Sequence, residues 1–282
     1  MYCSAHTLSF LVLLNCFCGV GSFRATTRRK SWSHKRLSTA SDVDFSIQSI
    51  DGDEDSVSRV ASFMLKSFWL PQVSVTEAEI DPAIVSGITY SIQQDLFNRY
   101  GALMGKRKFE SSLLTAKSPG DDKILGVVGV DVTLINKSTE TVFTRDQAEK
   151  ELTNVLSSIG PKQRRQFKDA TIHDIVAELL PNEISACVLL SNLAVCPTQR
   201  RRGVAKILCE KVESLVKDEW GFDRMYLRVE AGNAPARKLY EEKLAYELVW
   251  SEPNAPAYRV CVDKVAFDEI ESETLLLAKM II

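Results

Sequence analysis

Three arginines and a glycine, Arg200-Arg201-Arg202-Gly203, stand between an apolar run and a helix-spaced pattern. The run is Cys187 to Val195, and a short turn, Cys196-Pro197-Thr198-Gln199, leads from it to the arginines. After Gly203, residues Val204, Leu208, Val212, Leu215 and Val216 recur on one face at helical spacing. A strand, a basic glycine turn and a helix start together form a seat for a polyphosphate. The first helical turn leaves its backbone N–H groups unpaired and directed outward, and the aligned peptide dipoles add partial positive charge there. Gly203 lets a diphosphate approach the backbone with no Cβ in the way, and the arginines add full charge and forked donors. The segment is neither of the common nucleotide loops: G-x-x-x-x-G-K-S/T is absent, and no G-x-G-x-x-G follows a strand.

One helix and one strand further on, a second group of residues appears. Met225 to Glu230 reads as a strand, and Asn233-Ala234-Pro235-Ala236-Arg237-Lys238-Leu239-Tyr240 follows it. The two segments together resemble the acyl-coenzyme A site of the GNAT superfamily of N-acetyltransferases. That superfamily's loop pattern, Q/R-x-x-G-x-G/A, is met by Arg200, Gly203 and Ala205. Its later pattern, N-x-x-A-x-x-L-Y, is met by Asn233, Ala236, Leu239 and Tyr240. Plastid members are similar in the Leu-Ser-Asn-Leu-Ala-Val strand, the Arg-Arg-Arg-Gly-Val-Ala turn and Glu219-Trp220-Gly221. The segment departs from the pattern in two places. One extra residue separates Tyr240 from the next aromatic, Tyr246, and Ala245 stands where a glycine is usual.

The resemblance implies an α/β (α+β) GNAT fold: a mixed central sheet with flanking helices and a splayed strand pair that takes acetyl-CoA. It implies acetyl transfer from the coenzyme, as co-substrate, to an amine. That chemistry needs a held diphosphate, a polarised thioester carbonyl, a deprotonated amine and a stabilised leaving thiolate. Backbone N–H groups of Arg201, Arg202, Gly203, Val204, Ala205 and Lys206 are the expected diphosphate donors, with Arg200 opening the loop. The backbone of Leu193, Ala194 and Val195 is expected to pair with the pantetheine arm as an added strand would. Asn233 and Ala236 would contact the coenzyme, although Asn233 equally suits a helix N-cap ahead of Pro235. Tyr240 is the expected general acid, since a phenol can donate to a developing thiolate. The alternative for Tyr240 is a helix tyrosine packed on the sheet. Glu183 and Glu230 are the candidate general bases, each also readable as a surface acid. His173 is the one histidine beyond the leader, so neither a histidine triad nor a multi-histidine metal site is expected, and no metal is assigned.

Around this core the chain reads as strand, two helices, two strands, insertion, strand, helix, strand, helix, two strands. Residues 44–50 open it. Helices follow over 57–68 and 82–103, then a hairpin, 112–117 and 124–135, joined by Ser118-Pro119-Gly120-Asp121-Asp122. Gly126 and Gly129 mark possible bulges. Residues 145–180 read as helix broken at Gly160-Pro161, within an insertion around 140–182. Its basic run, Lys162 to Lys168, reads first as a solvated helix face. Strands are expected at 246–250 and 273–281, with Pro253, Asn254 and Pro256 in the connection.

The chain has 282 residues, 45% hydrophobic and 26% charged, the composition of a globular domain. Residues 1–22 resemble a signal peptide, with an apolar run from Leu8 to Val20 and small residues Gly21 and Ser22 after it. Residues 23–42 resemble a transit peptide: Arg24 to Ser41 holds six Lys or Arg, seven Ser or Thr and no acid. A secretory core, Phe23 and a basic tail look like bipartite plastid targeting; the alternative is a secreted protein. Four cysteines lie beyond the leader without a C-x-x-C, which suits free packed thiols in a reducing organelle. No apolar run after the leader reaches the length of a membrane span. The formal net charge is −2, and removing six positive charges with the leader leaves an acidic body. That balance disfavours nucleic acid as a partner. The domain is then residues 43–282. The first reading is an acetyl-CoA-dependent N-acetyltransferase acting on protein lysine or N-terminal amines. The second is an arylalkylamine or polyamine acetyltransferase, and the third an inactive coenzyme-binding regulatory module.

Overall fold

The computed structural model describes residues 45–50, 52–101 and 109–281, so the targeting reading of residues 1–42 lies outside the described residues. The strands are β1 (Ser46–Ser49), β2 (Ser111–Lys117), β3 (Ile124–Asn136), β4 (Thr141–Val142), β5 (Ile184–Val195), β6 (Arg224–Glu230), β7 (Glu247–Val260) and β8 (Phe267–Met280). They form one mixed sheet in the order β1-β2-β3-β5-β6-β8-β7, with β4 added to β3. Among the described residues only β5 and β6 run parallel. Parallel neighbours need a crossover, and α7 (Val204–Asp218) supplies it.

The stripe read from sequence on α7 is its buried face: Val204, Leu208, Cys209, Val212 and Val216 all face the core. Gly126 of β3 lets this helix lie close, because a Cβ there would meet Leu208 Cδ1 at 2.9 Å and Val204 Cγ1 at 3.0 Å. The same core takes Val128, Val130, Val132 and Leu134 of β3 and Val188 and Leu190 of β5. A second core is built by α1 (Glu54–Met64), which passes through a π-helical turn, Leu65–Trp69, into the short α2 (Leu70–Gln72), and by α3 (Pro82–Tyr100). Val57, Val60 and Met64 meet Ile88, Ile92 and Leu96 there, over Leu113, Val127 and Ala194 of the sheet.

The insertion folds as three helices, α4 (Arg145–Ser158), α5 (Pro161–Gln166) and α6 (Ile172–Leu179). The break expected at Gly160-Pro161 is present. A second break follows Gln166, because Thr171 and Asp174 close a capping box that starts α6 anew. The basic run lies on the exposed α5, where Arg164 donates to the carbonyls of Ser157 and Ile159 at the end of α4. Cys187, Cys196, Cys209 and Cys261 are free thiols.

The last two strands are much longer than the sequence pattern suggests. Pro253, Asn254 and Pro256, read as a loose connection, lie inside β7. This strand sits at the sheet edge, where proline costs no ladder bond, and its register slips at Leu248/Trp250 and Glu252/Ala255. The far end of the β7–β8 hairpin crosses to the second core. Phe267 there meets Trp69 edge-on at 4.9 Å between ring centroids.

Candidate active site

The strands β5 and β6 are paired only at Val188↔Met225, Leu189↔Tyr226 and Leu190↔Leu227. Beyond these, β6 stays with β8 to Glu230, while β5 stays with β3 to Val195. A V-shaped opening results, and Ser191 to Val195 has no strand partner on its β6 side among the described residues. A bulge shapes this edge. Ser191 pairs with Gly129 and Ala194 with Val127, so Asn192 and Leu193 together oppose one residue. Asn192 takes the left-handed conformation, φ 53. The slip reverses which side chains face which core. Val188 and Leu190 enter the α7 side before it, whereas Leu193 and Val195 pack there after it and Ala194 turns to the other side.

The basic turn opens at the end of this edge. Gly203 is the N-cap of α7 at φ 86, with no side chain bonded to the first-turn N–H groups. Among the described residues, apart from its own chain neighbours, nothing lies within 4 Å of where a Cβ on Gly203 would be. That open space, beside the uncapped first-turn N–H groups of α7, fits a coenzyme diphosphate. Val204 is buried, so it offers its backbone alone, while Arg201, Arg202 and Lys206 are exposed around the turn. Arg202 bonds Gln199 Oε1 at 2.9 Å and Lys206 lies 3.6 Å from Glu210. Arg200 differs from the reading as an anion donor. Its Nε donates to Val195 O and its Nη2 to Ser67 O, at 3.3 and 2.9 Å. Two carbonyls therefore hold the guanidinium that the sequence offered to a phosphate.

Asn233 N-caps α8 (Ala234–Arg237), with Oδ1 accepting from Ala236 N–H at 3.3 Å. The capping alternative is therefore the one its oxygen fulfils. The chain continues through a π-helical turn, Lys238–Lys243, closed by Leu244 N–H on Leu239 O. This turn absorbs the extra residue noted between Tyr240 and Tyr246. Tyr246 N–H then bonds Tyr240 O at 2.9 Å across Ala245, which is left-handed at φ 58. That is the terminal geometry for which glycine is preferred, and it explains the glycine usual at Ala245. Tyr240 itself is buried, edge-on to Tyr246 at 6.0 Å. Burial, with Cys209 close by, pushes its phenol pKa far up.

The two candidate bases separate. Glu183 is exposed just before β5 begins, roughly 26 Å along the strand from Ser191 at 3.3 Å per residue. The structure does not bring it to the opening. Glu230 does end at the diverging strands, but its Oε2 is held by Arg259 Nη2 at 2.5 Å and Ser272 Oγ at 3.2 Å.

Residues given no role by sequence line the other side of the bulge. Tyr100, at the end of α3, places its hydroxyl 3.0 Å from Ser191 Oγ and accepts from Asn192 Nδ2 at 3.2 Å. Beside it lies a buried charge cluster. Arg99 Nε donates to Asp95 Oδ1 at 3.2 Å, and Arg99 and Arg145 both act on Asp131. Burial raises the Asp95 carboxyl to about 6 although Arg99 opposes it, and raises Asp131 as well. A polar pair, Ser191-Asn192, inside an apolar strand was the one signal available in the sequence. Among the described residues no group of three or more His, Cys, Asp or Glu could hold a metal.

No curated protein sequence matches the chain. Among solved structures, the ribosomal-protein-S18-alanine N-acetyltransferase from Escherichia coli is similar at 13% identity, with TM-score 0.45 over 84% of this chain and 94% of that one. NAA60 of Arabidopsis thaliana, solved with acetyl-CoA, is 15% identical, with TM-score 0.45 over 84% and 98%. Arylalkylamine N-acetyltransferase 2 from Aedes aegypti is 15% identical, with TM-score 0.44 over 85% and 100%. The model of the acetyltransferase (GNAT) family matches residues 176–246. This span holds β5, the Gly203 turn, α7, β6 and the Tyr240 helix, and over it the chain matches the GNAT acetyltransferase family.

Proposed function

We propose that this protein transfers the acetyl group of acetyl-CoA to an amine, with protein lysine side chains or N-terminal amines as the preferred acceptors. The observation that carries the reading is the open edge of β5 running straight into the uncapped start of α7. The pantetheine arm would lie along Ser191 to Val195, and the diphosphate would meet the N–H groups that follow Arg200. The backbone of Leu193 and Val195 orients the thioester, and Tyr240 gives a proton to the departing sulfur. Glu230 ends β6 where the two strands diverge and is the base we assign. In the reaction the amine nitrogen bonds the thioester carbon, the carbon–sulfur bond breaks, and the amine proton leaves as the thiolate is protonated.

The basic leader, free of acids through Ser41, supports a plastid location, and a fluorescent fusion of residues 1–42 found only in the culture medium would refute it. The activity is tested by incubating the protein with acetyl-CoA and a mixed panel of peptides, arylalkylamines and polyamines, then mapping products by mass. Acetylated peptides support the reading. Products among small amines alone would make the enzyme a small-amine acetyltransferase. Coenzyme binding with no product would leave a coenzyme-binding regulatory module.

A further inference from the structure

The bulge in β5 needs something to hold it. Asn192 is left-handed in the middle of a strand, a conformation that L side chains resist and asparagine resists least. Its side chain does not reach its own backbone in the usual manner of such residues; it donates from Nδ2 to the hydroxyl of Tyr100. The same hydroxyl meets Ser191 Oγ. One phenol, carried on the last turn of α3, thus grips both residues at the point where β5 parts from β6. The sheet is shaped to admit it: a Cβ on Gly129 would collide with the Tyr100 hydroxyl and lie 2.8 Å from Cζ. Burial pushes the Tyr100 phenol up to about 12, so the group stays a hydrogen-bond donor through the neutral range.

Resting on the coenzyme reading above, we propose that Tyr100 is a positioning residue for acyl transfer: by holding Ser191 and Asn192 it fixes the direction in which the Leu193 backbone meets the thioester carbonyl. Tyr100 touches neither the coenzyme nor the reacting atoms in this role. It acts through the bulge. Without it Asn192 can relax toward extended backbone, which moves the following peptide, while the diphosphate seat at Gly203 lies beyond the end of the strand.

The test compares acetyl-CoA with CoA by titration calorimetry on the full chain, because the two ligands differ only by the acetyl thioester. Wild type is expected to bind acetyl-CoA more tightly than CoA. Tyr100→Phe keeps the ring and should weaken acetyl-CoA by roughly 3- to 10-fold, the value of one oriented hydrogen bond, while CoA is unchanged. Asn192→Gly adopts the left-handed conformation without a gripped side chain, so the double variant should recover the preference. If Tyr100→Phe folds poorly, Asn192→Ala must lose the preference and Asn192→Gly must keep it. Equal weakening of both ligands, or no recovery in the double variant, overturns the proposal. Equal wild-type affinities for the two ligands overturn it while leaving the coenzyme reading standing. A wild type that binds neither ligand overturns both.

Discussion

Arg200 reaches from the basic turn to the carbonyl of Ser67, 2.9 Å away, in the π-helical turn that ends α1. A π-turn disturbs the regular ladder, and π-bulges are frequent at functional sites. Here the turn presents a carbonyl to a guanidinium from the basic turn before α7. The Gly203 turn is thereby tied to the helix pair that covers the opposite face of the sheet. The family pattern admits glutamine or arginine at this position, and both can donate to a carbonyl.

Arg200→Gln should therefore bind acetyl-CoA nearly as wild type does, with little change in salt dependence. Arg200→Ala removes bonds from a charged donor and should lower stability by roughly 1.5–3 kcal/mol. Calorimetry across ionic strength and chemical denaturation check the pair. A steep salt-dependent loss in the glutamine variant would return Arg200 to the role of phosphate ligand.

Gly203 separates two requirements, left-handed backbone and open space. Asparagine tolerates φ 86 better than other side chains and is a good N-cap, so Gly203→Asn should fold. Its side chain would occupy the empty region above the α7 start and bond the first-turn N–H groups that the proposed function gives to the diphosphate. Loss of acetyl-CoA binding by more than about tenfold, the work of one or two charge-assisted hydrogen bonds, is expected with an unchanged circular dichroism spectrum.

The buried Asp95 gives a pH dependence with a defined sign. Its carboxyl is raised to about 6, so the folded protein holds that proton more tightly than the unfolded chain. The associated stability is complete below the ordinary carboxylate range near pH 4 and is lost as pH rises through about 6. The full change is roughly 3 kcal/mol. Asp95→Asn should flatten this fall in denaturation midpoints measured from pH 4 to 7. It also removes the Asp95–Arg99 ion pair that forms above about pH 6, while Asp131 still acts on Arg99. Asp131 is shifted in the same direction, so some slope should persist.

Ala245 is another left-handed site with a physical cost. Ala245→Gly relieves a positive φ at the end of the π-turn and should stabilise the fold by about 1 kcal/mol. Thermal unfolding should show the gain as a rise of a few degrees in Tm. No change would mean that glycine's extra freedom in the unfolded chain offsets the relief.

What was legible in the sequence followed from local pattern. The α7 stripe, the glycine turn and the Asn233–Tyr240 segment each announce themselves within about fifteen residues, and the strand–helix order follows from period alone. What was not legible depends on partners distant in the chain. Tyr100 and Asn192 are 92 residues apart, and Arg200 and Ser67 are 133 apart. Neither pair has a sequence signature. The long hairpin was obscured differently. Pro253 and Pro256 argue against a strand only if it is central, and no local feature tells that β7 is the edge. Glu183 looked like a base because it precedes the coenzyme strand, yet a twelve-residue strand carries its start far from its end.

Tyr240 offers the test that separates an enzyme from a binder. Its ring packs edge-on against Tyr246, and the π-turn sets its direction. Tyr240→Phe keeps that packing and removes only the hydroxyl, so folding and coenzyme affinity should hold. Burial keeps the proton on the phenol at any working pH, the state a donor to sulfur requires. If the hydroxyl stabilises the leaving thiolate, kcat should fall by roughly 10²–10⁴, with KM for acetyl-CoA little changed. The loss belongs in kcat because the interaction strengthens only as charge develops on sulfur. A wild-type kcat in Tyr240→Phe would make Tyr240 a core residue. The π-turn that absorbs the extra residue would then be the reason it faces Cys209 and Tyr246 rather than the coenzyme.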